Sequence, residues 1–206
     1  MKSTSGSVLT ASMNGVVDES LYDIEVIPVS KSVRYSSLSP FFLGPVETSG
    51  YAFENMENAW QYSKVYKQLG HLNSKGRLTQ AFWGWMELGS NRTKADRYPA
   101  GKGAVPEFSI YNREIRLSYV SARALMYIPC YASLVEDEDD FQELVELYES
   151  GKRILIRDYD CYRCDCVGDW FDAVRKNPHK KMGHGFVLAE SIIRNRDRRW
   201  YSRLII

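Results

Sequence analysis

No stretch of the 206-residue chain is apolar and long enough to cross a bilayer as a helix. The opening residues, MKSTSGSVLT, lack the charged, apolar and small-residue regions of a secretory leader. The expected location is therefore the cytoplasm, with no membrane partner. Charge of one sign is missing too: 27 basic and 26 acidic residues leave a formal net charge of +1, so the overall field selects neither nucleic acid nor an anionic surface. Cysteine is scarce and badly spaced for a disulfide framework. Cys130 stands alone while Cys161, Cys164 and Cys166 crowd into CYRCDC, and reduced thiols are the expectation. Thiolate and imidazole ligands at such spacing suit a tetrahedral ion, which makes that cluster with His179 or His184 a candidate zinc site. These residues do not form a recognised pair of knuckles, and neither metal nor cofactor is expected.

What the chain does have is length for one domain with a self-sufficient core, and plentiful aromatic residues, 14 Tyr and 5 Trp among them. Residues 1–20, rich in Ser and Gly, read as a flexible arm, and 21–206 as the domain. LYDIEVIPVS reads as a strand that Pro28 pushes to a sheet edge. The stretch from Ser36 to Phe53 is punctuated by Pro and Gly yet keeps large apolar residues. It predicts a packed loop with a short strand at Tyr51 to Phe53.

A helix is predicted from Asn55 to about Leu69, capped by Asn55, with Met56, Ala59, Trp60 and Ser63 facing inward. A second fits Leu78 to Leu88, stopped by Gly89. The polar, basic segment SNRTKADRYPAGKG is long for a connection and predicts a functional loop. A third helix is expected over Ile110 to Tyr127, ending before Pro129. A fourth follows the acidic EDEDD patch, from Phe141 to Glu149, where carboxylates suit the positive helix end, and Gly151 closes it. RILIRDYD is the clearest strand. Short helices follow around Trp170 to Arg175 and Gly185 to Arg194. The fold class is α+β, predominantly helical with a small sheet.

Three constellations can carry chemistry. Glu57, Gln61 and Lys64 are spaced i, i+4 and i+7, so on a helix they line one face beside Trp60 and can meet one ligand. The plain alternative is a solvated stripe with one ion pair. Asp158 and Asp160 fall on one face of a strand end, where they can be catalytic or can cap the next turn. Arg97, Lys102 and Gly103 put cations beside backbone able to approach phosphate, although most such loops only connect. Trp83, Trp85 and the tyrosines of YVSARALMYIPCY are more often core than stacking platforms.

In order and spacing, LSPFF at Leu38 to Phe42, then Gly50, Tyr51 and Phe53, then ENAWQYSK from Glu57 to Lys64 resemble the NADAR family. RILIRDYD and GHGFVLAESIIR resemble that family's carboxylate-ending strand and closing helix. The family's functional Trp has no single counterpart here: Trp83 and Trp85 lie close behind the first helix, Phe108 and Tyr111 further on, and Cys161 to Lys181 reads as an insertion. The resemblance implies a hydrolase that cleaves the N-glycosidic bond of a ribosylated nucleobase. Its substrate would be ADP-ribose on a base in DNA, single-stranded DNA included, as in reversal of a toxin or phage-defence modification, or a related ribosyl nucleotide. Glu57 with Asp158 or Asp160 would then stabilise the ribosyl cation or activate water. Gln61, Trp60 and Trp85 would orient the sugar and base, and Lys64, Arg97 and Lys102 would hold phosphate. Two rivals remain: a module that binds ADP-ribose or nucleic acid without turnover, and a zinc-stabilised interaction protein built on CYRCDC.

Overall fold

A computed structural model describes residues 5–197 and 199–204. In chain order its elements are β1 (Ser7–Ser12), β2 (Ile24–Val26), β3 (Val46–Thr48), β4 (Tyr51–Phe53), α1 (Met56–Tyr62), β5 (Lys64–Val65), α2 (Gln80–Ser90) and β6 (Phe108–Tyr111). There follow β7 (Ile115–Leu117), α3 (Tyr119–Ala122), α4 (Ile128–Val135), α5 (Asp139–Glu149), β8 (Arg153–Asp158), α6 (Trp170–Arg175) and α7 (His184–Ile193). The fold is mixed α+β, as expected, but its strands make three small sheets instead of one. Two compact units divide the chain: one holds the residues up to Ser39 and from Tyr131 onward, the other Pro40–Cys130.

In the first unit β8 is the centre of a parallel sheet ordered β1-β8-β2. Ser7 to Ser12 run in register with Arg153 to Asp158, and Ile24 to Val26 with Ile154 to Ile156. Paired on both sides, β8 buries three consecutive residues, Ile154, Leu155 and Ile156, as a central parallel strand does. Pro28 follows the edge strand β2, in keeping with its lost N–H. The arm expected over 1–20 is corrected from Ser7 to Ser12: Val8 to Ala11 are buried in β1, because backbone pairing with β8 orders a stretch whose own pattern is weak. Residues 1–4 lie outside the described part. α7 packs on β1 and β8, and nearly its whole circumference is buried. α5 begins with Asp139 and Asp140 in its first turn and ends in a Schellman arrangement. Lys152 N donates to Leu147 O (3.0 Å), Gly151 N donates to Tyr148 O (3.0 Å), and Gly151 adopts φ +92°.

In the second unit Phe53, Ala59, Tyr62, Val65, Phe82, Met86 and Ile110 form one core cluster, with Trp83 and Trp85 at its edge. β3 and β4 form a hairpin whose two-residue turn, Ser49 and Gly50, has φ of +54° and +80°, the sign a type I′ turn requires. β5, β6 and β7 form an antiparallel sheet. The helix expected from Ile110 therefore starts later: Phe108 and Ser109 pair with β5, Ser109 to Tyr111 pair with β7, and Asn112 and Arg113 turn the chain between β6 and β7 at positive φ. That helix also runs through Pro129. A π-helical turn, Arg123–Tyr127, joins α3 to α4 just ahead of Pro129, and its wider hydrogen-bonded ring interrupts the regular ladder in which a proline inside a helix would leave a bond unmade. Gly89 likewise does not end α2, which continues to Ser90.

Candidate functional site

α1 is held at its N-terminus by three acceptors. Asn55 Oδ1 accepts from Asn58 N (3.0 Å), Leu43 O from Met56 N (2.8 Å) and Pro40 O from Glu57 N (2.9 Å). The Pro- and Phe-rich loop before β3 thus supplies carbonyls to N–H groups that a helix start leaves without partners, and this fixes Glu57 in the first turn.

The helix ends sooner than its sequence pattern indicates. Tyr62 is its last residue, Ser63 its C-cap, and Lys64 already belongs to β5. Even so, the three expected residues meet. Gln61 Nε2 donates to Glu57 Oε1 at 2.8 Å, and Lys64 Nζ donates to Gln61 Oε1 at 2.8 Å. Only one orientation of the Gln61 amide satisfies both an anion and a cation, so the relay runs carboxylate, amide, ammonium. Glu57 is 7 % exposed. Lys64 Nζ lies 4.7 Å from the centre of the Trp60 ring, and Trp60 meets Tyr127 edge-on at 5.0 Å. Burial draws the Lys64 ammonium down to about 8, against the opposing pull of Glu57.

The basic loop is fastened to the same helix. Asn58 Oδ1 accepts from Asp96 N (2.8 Å), and Asn58 Nδ2 donates to Lys94 O (3.0 Å) and Arg92 O (3.3 Å). Tyr62 Oη donates to Asp96 Oδ2 (2.9 Å), which also pairs with Arg92 Nε (3.1 Å). Arg97 lies over the exposed Tyr98 ring at 5.2 Å, and Lys102 is exposed. Trp85, by contrast, is partly buried at the edge of the core: its ring packs on Tyr62 at 4.6 Å and on His71 at 5.4 Å.

Asp158 and Asp160 do not share a strand face, because β8 ends at Asp158 and Asp160 sits in the following turn. Asp158 is 3 % exposed and takes up the start of α7: Oδ2 accepts from Gly185 N (3.1 Å) and lies 3.2 Å from His184 Nδ1. The other ring nitrogen of His184 is 2.6 Å from Pro28 O. A Cβ on Gly183 would stand 2.0 Å from Asp158 Oδ2, which explains the glycine of GHGF as room for the carboxylate. Asp160 instead pairs with Lys181 (3.0 Å). Among the described residues no three His, Cys, Asp or Glu side chains converge as metal ligands, so CYRCDC with His179 or His184 builds no zinc site there.

Sequence reasoning missed Asn58, which reads as one more helix polar residue, and Tyr127, whose place beside Trp60 depends on the π-turn. Arg123 could have been found. It is a charged residue inside an otherwise apolar run, 1 % exposed, with its guanidinium 4.0 Å from the Tyr119 ring. No family model, curated protein or solved structure matches the chain.

Proposed function

We propose that the chain is an N-glycosidase acting on ribosylated nucleobases, with Glu57 as the carboxylate that meets the sugar. The observation that carries this reading is the Glu57–Gln61–Lys64 relay beneath Trp60. When the C1′–N bond breaks, its electron pair leaves with the base and C1′ becomes cationic. A water then adds at C1′, losing its proton as the base nitrogen gains one. A carboxylate held still by Gln61 and largely shielded from solvent stabilises that cation more than one in open water. Trp60 offers a face for the base or adenine, and Lys64 with Arg97 and Lys102 offers cations for a diphosphate. The reading rests on Glu57 alone, since Asp158 already caps α7 and Asp160 is paired to Lys181. ADP-ribose on a base in DNA is the preferred substrate, with a free ribosyl nucleotide next.

The test offers the protein single-stranded DNA bearing ADP-ribosylated guanine or thymine, and separately free ribosylated nucleotides, and follows sugar release. Glu57→Gln is expected to lower turnover about a hundredfold or more while largely keeping ligand affinity. No release from any of these substrates by the unaltered protein would remove the proposal. The basic loop tied to α1, with Tyr98 exposed, favours a second reading, a binding module without turnover. In that case both proteins bind and neither releases sugar.

A further inference from the structure

The segment from Ser90 to Gly103 carries four cations, Arg92, Lys94, Arg97 and Lys102, against one carboxylate, Asp96. In a chain whose net charge is +1 this is a local excess, and the structure turns it outward. The segment's acceptors face the protein: Arg92 O and Lys94 O accept from Asn58 Nδ2, and Asp96 Oδ2 accepts from Tyr62 Oη. Both donors belong to fully buried residues. Asp96 Oδ2 is matched further by Arg92 Nε at 3.1 Å. What the segment leaves to solvent is cationic, with Lys94 and Lys102 exposed. Lys102 and Gly103 form the middle of a turn closed by Ala104 N donating to Gly101 O (3.2 Å), and Gly103 takes φ +86°, as the third residue of a type II turn must. A Cβ built on Gly101 or Gly103 would meet nothing within 4 Å, so the backbone on either side of Lys102 is open to a ligand. Between the two lysines in sequence stands Tyr98. Its ring is 46 % exposed, with the Arg97 guanidinium 5.2 Å from its centre.

We propose that residues 92–103 form a binding surface for single-stranded nucleic acid, in which Tyr98 stacks a base while Lys94, Arg97 and Lys102 meet phosphates. Cations interleaved with an exposed ring on a fixed backbone suit a single strand, whose bases offer flat faces and whose phosphates follow one another at short intervals. A duplex keeps those faces inside its stack, and an acidic peptide has none to offer. DNA and RNA share the chemistry. The same Asn58 that holds the loop follows Glu57 in α1, so a strand on this surface is held by the turn that carries the carboxylate. On the N-glycosidase reading of Glu57, on which the identity of the substrate rests, the preferred substrate is then a base within a strand, and a free ribosyl nucleotide lacks the contacts to Tyr98 and Lys94.

Fluorescence anisotropy with short unmodified oligonucleotides tests the surface, using single-stranded DNA, single-stranded RNA and a DNA duplex of equal length. Both single strands are expected to bind more tightly than the duplex, and the tighter of the two identifies the polymer. Tyr98→Ala should weaken single-strand binding about tenfold or more, while Tyr98→Phe, which keeps the ring, should not. Lys94→Gln should weaken it several-fold and lower the slope of log affinity against log salt by about 0.7, the share of one phosphate. Hydrolysis of free ribosyl nucleotides should be unchanged in both Tyr98→Ala and Lys94→Gln, since neither side chain is assigned to the sugar. Binding of the duplex as tightly as of the single strands, binding unaffected by Tyr98→Ala, or displacement of the strand by polyglutamate at equal charge would each overturn the proposal, even in a protein that hydrolyses free nucleotides. Single-strand binding with the expected response to both variants supports it, even where no substrate releases sugar and the glycosidase reading fails.

Discussion

The ring of Tyr62 lies flat against the backbone of Gly89, so close that a Cβ at Gly89 would stand 2.2 Å from Tyr62 Cγ. α1 and α2 can approach only because one of them has no side chain there. Gly89→Ala is therefore expected to destabilise the protein by about 3 kcal/mol, as overpacking of a rigid ring does. Gly84, on the same helix, has nothing within 4 Å of its would-be Cβ, and Gly84→Ala should stabilise by about 0.5–1 kcal/mol. Urea unfolding of the two variants checks the opposite signs.

Stability should fall in mild acid through His71. The ring is 2 % exposed, and Nδ1 accepts from Tyr66 N at 3.1 Å, which requires a bare lone pair. Burial lowers its pKa from 6.5 to about 4. The unfolded chain binds a proton more readily, so the contribution is complete above pH 6.5, declines as pH falls from there to about 4, and changes no further below. The loss is at most about 3 kcal/mol. In His71→Asn, whose Oδ1 keeps the acceptor without titrating, the pH dependence of unfolding over this window should flatten. An unchanged slope would refute the assignment.

Lys64 acts in the alkaline range. Its cation is present below about 8 and is lost as pH rises through that value. Affinity for ADP-ribose should weaken several-fold, by roughly 1 kcal/mol, between pH about 7 and about 9. Lys64→Met should bind weakly at both ends of that range. Titration calorimetry at the two pH values decides, and pH-independent binding by the unaltered protein counts against a phosphate role. Between about 8 and 10.5 the folded state holds fewer protons than the unfolded chain, so stability should rise with pH there.

Asp158 invites a separation of structural from chemical roles. Asp158→Ala leaves Gly185 N–H without its acceptor at a buried helix start, at a cost of about 2 kcal/mol. Asp158→Asn retains an oxygen acceptor and should lose less. If Asp158→Asn unfolds like the unaltered protein yet releases no sugar, the carboxylate belongs to the chemistry as well as to the helix cap.

Much of the architecture is legible where a local rule has one reading. Ile154, Leu155 and Ile156 announce a strand buried on both faces, Asn55 a helix start, and Gly151 a helix stop. Ambiguity enters where one residue type serves two purposes. Gly89 looks like a terminator and is a packing glycine. Pro129 looks like a barrier, yet the helix runs through it, because a π-turn resets the register ahead of it. Glu57, Gln61 and Lys64 have helical spacing, and they do meet, but through a strand that takes over after Ser63. Helical spacing accounts for the contact of Glu57 with Gln61, and the turn into β5 for that of Lys64. Its remaining members depend on tertiary placement: Asn58 draws in the 92–96 loop, and Tyr127 reaches Trp60, neither of which any spacing encodes.

The position of β8 between β1 and β2 has a consequence for biosynthesis. Its two partners leave the ribosome early, yet neither can pair until residues 153–158 have emerged, by which time all of Pro40–Cys130 has been made. The nascent chain must carry the apolar segments Val8 to Ala11 and Ile24 to Val26 unpaired through that interval, so the first unit is sealed from its middle strand outward and late.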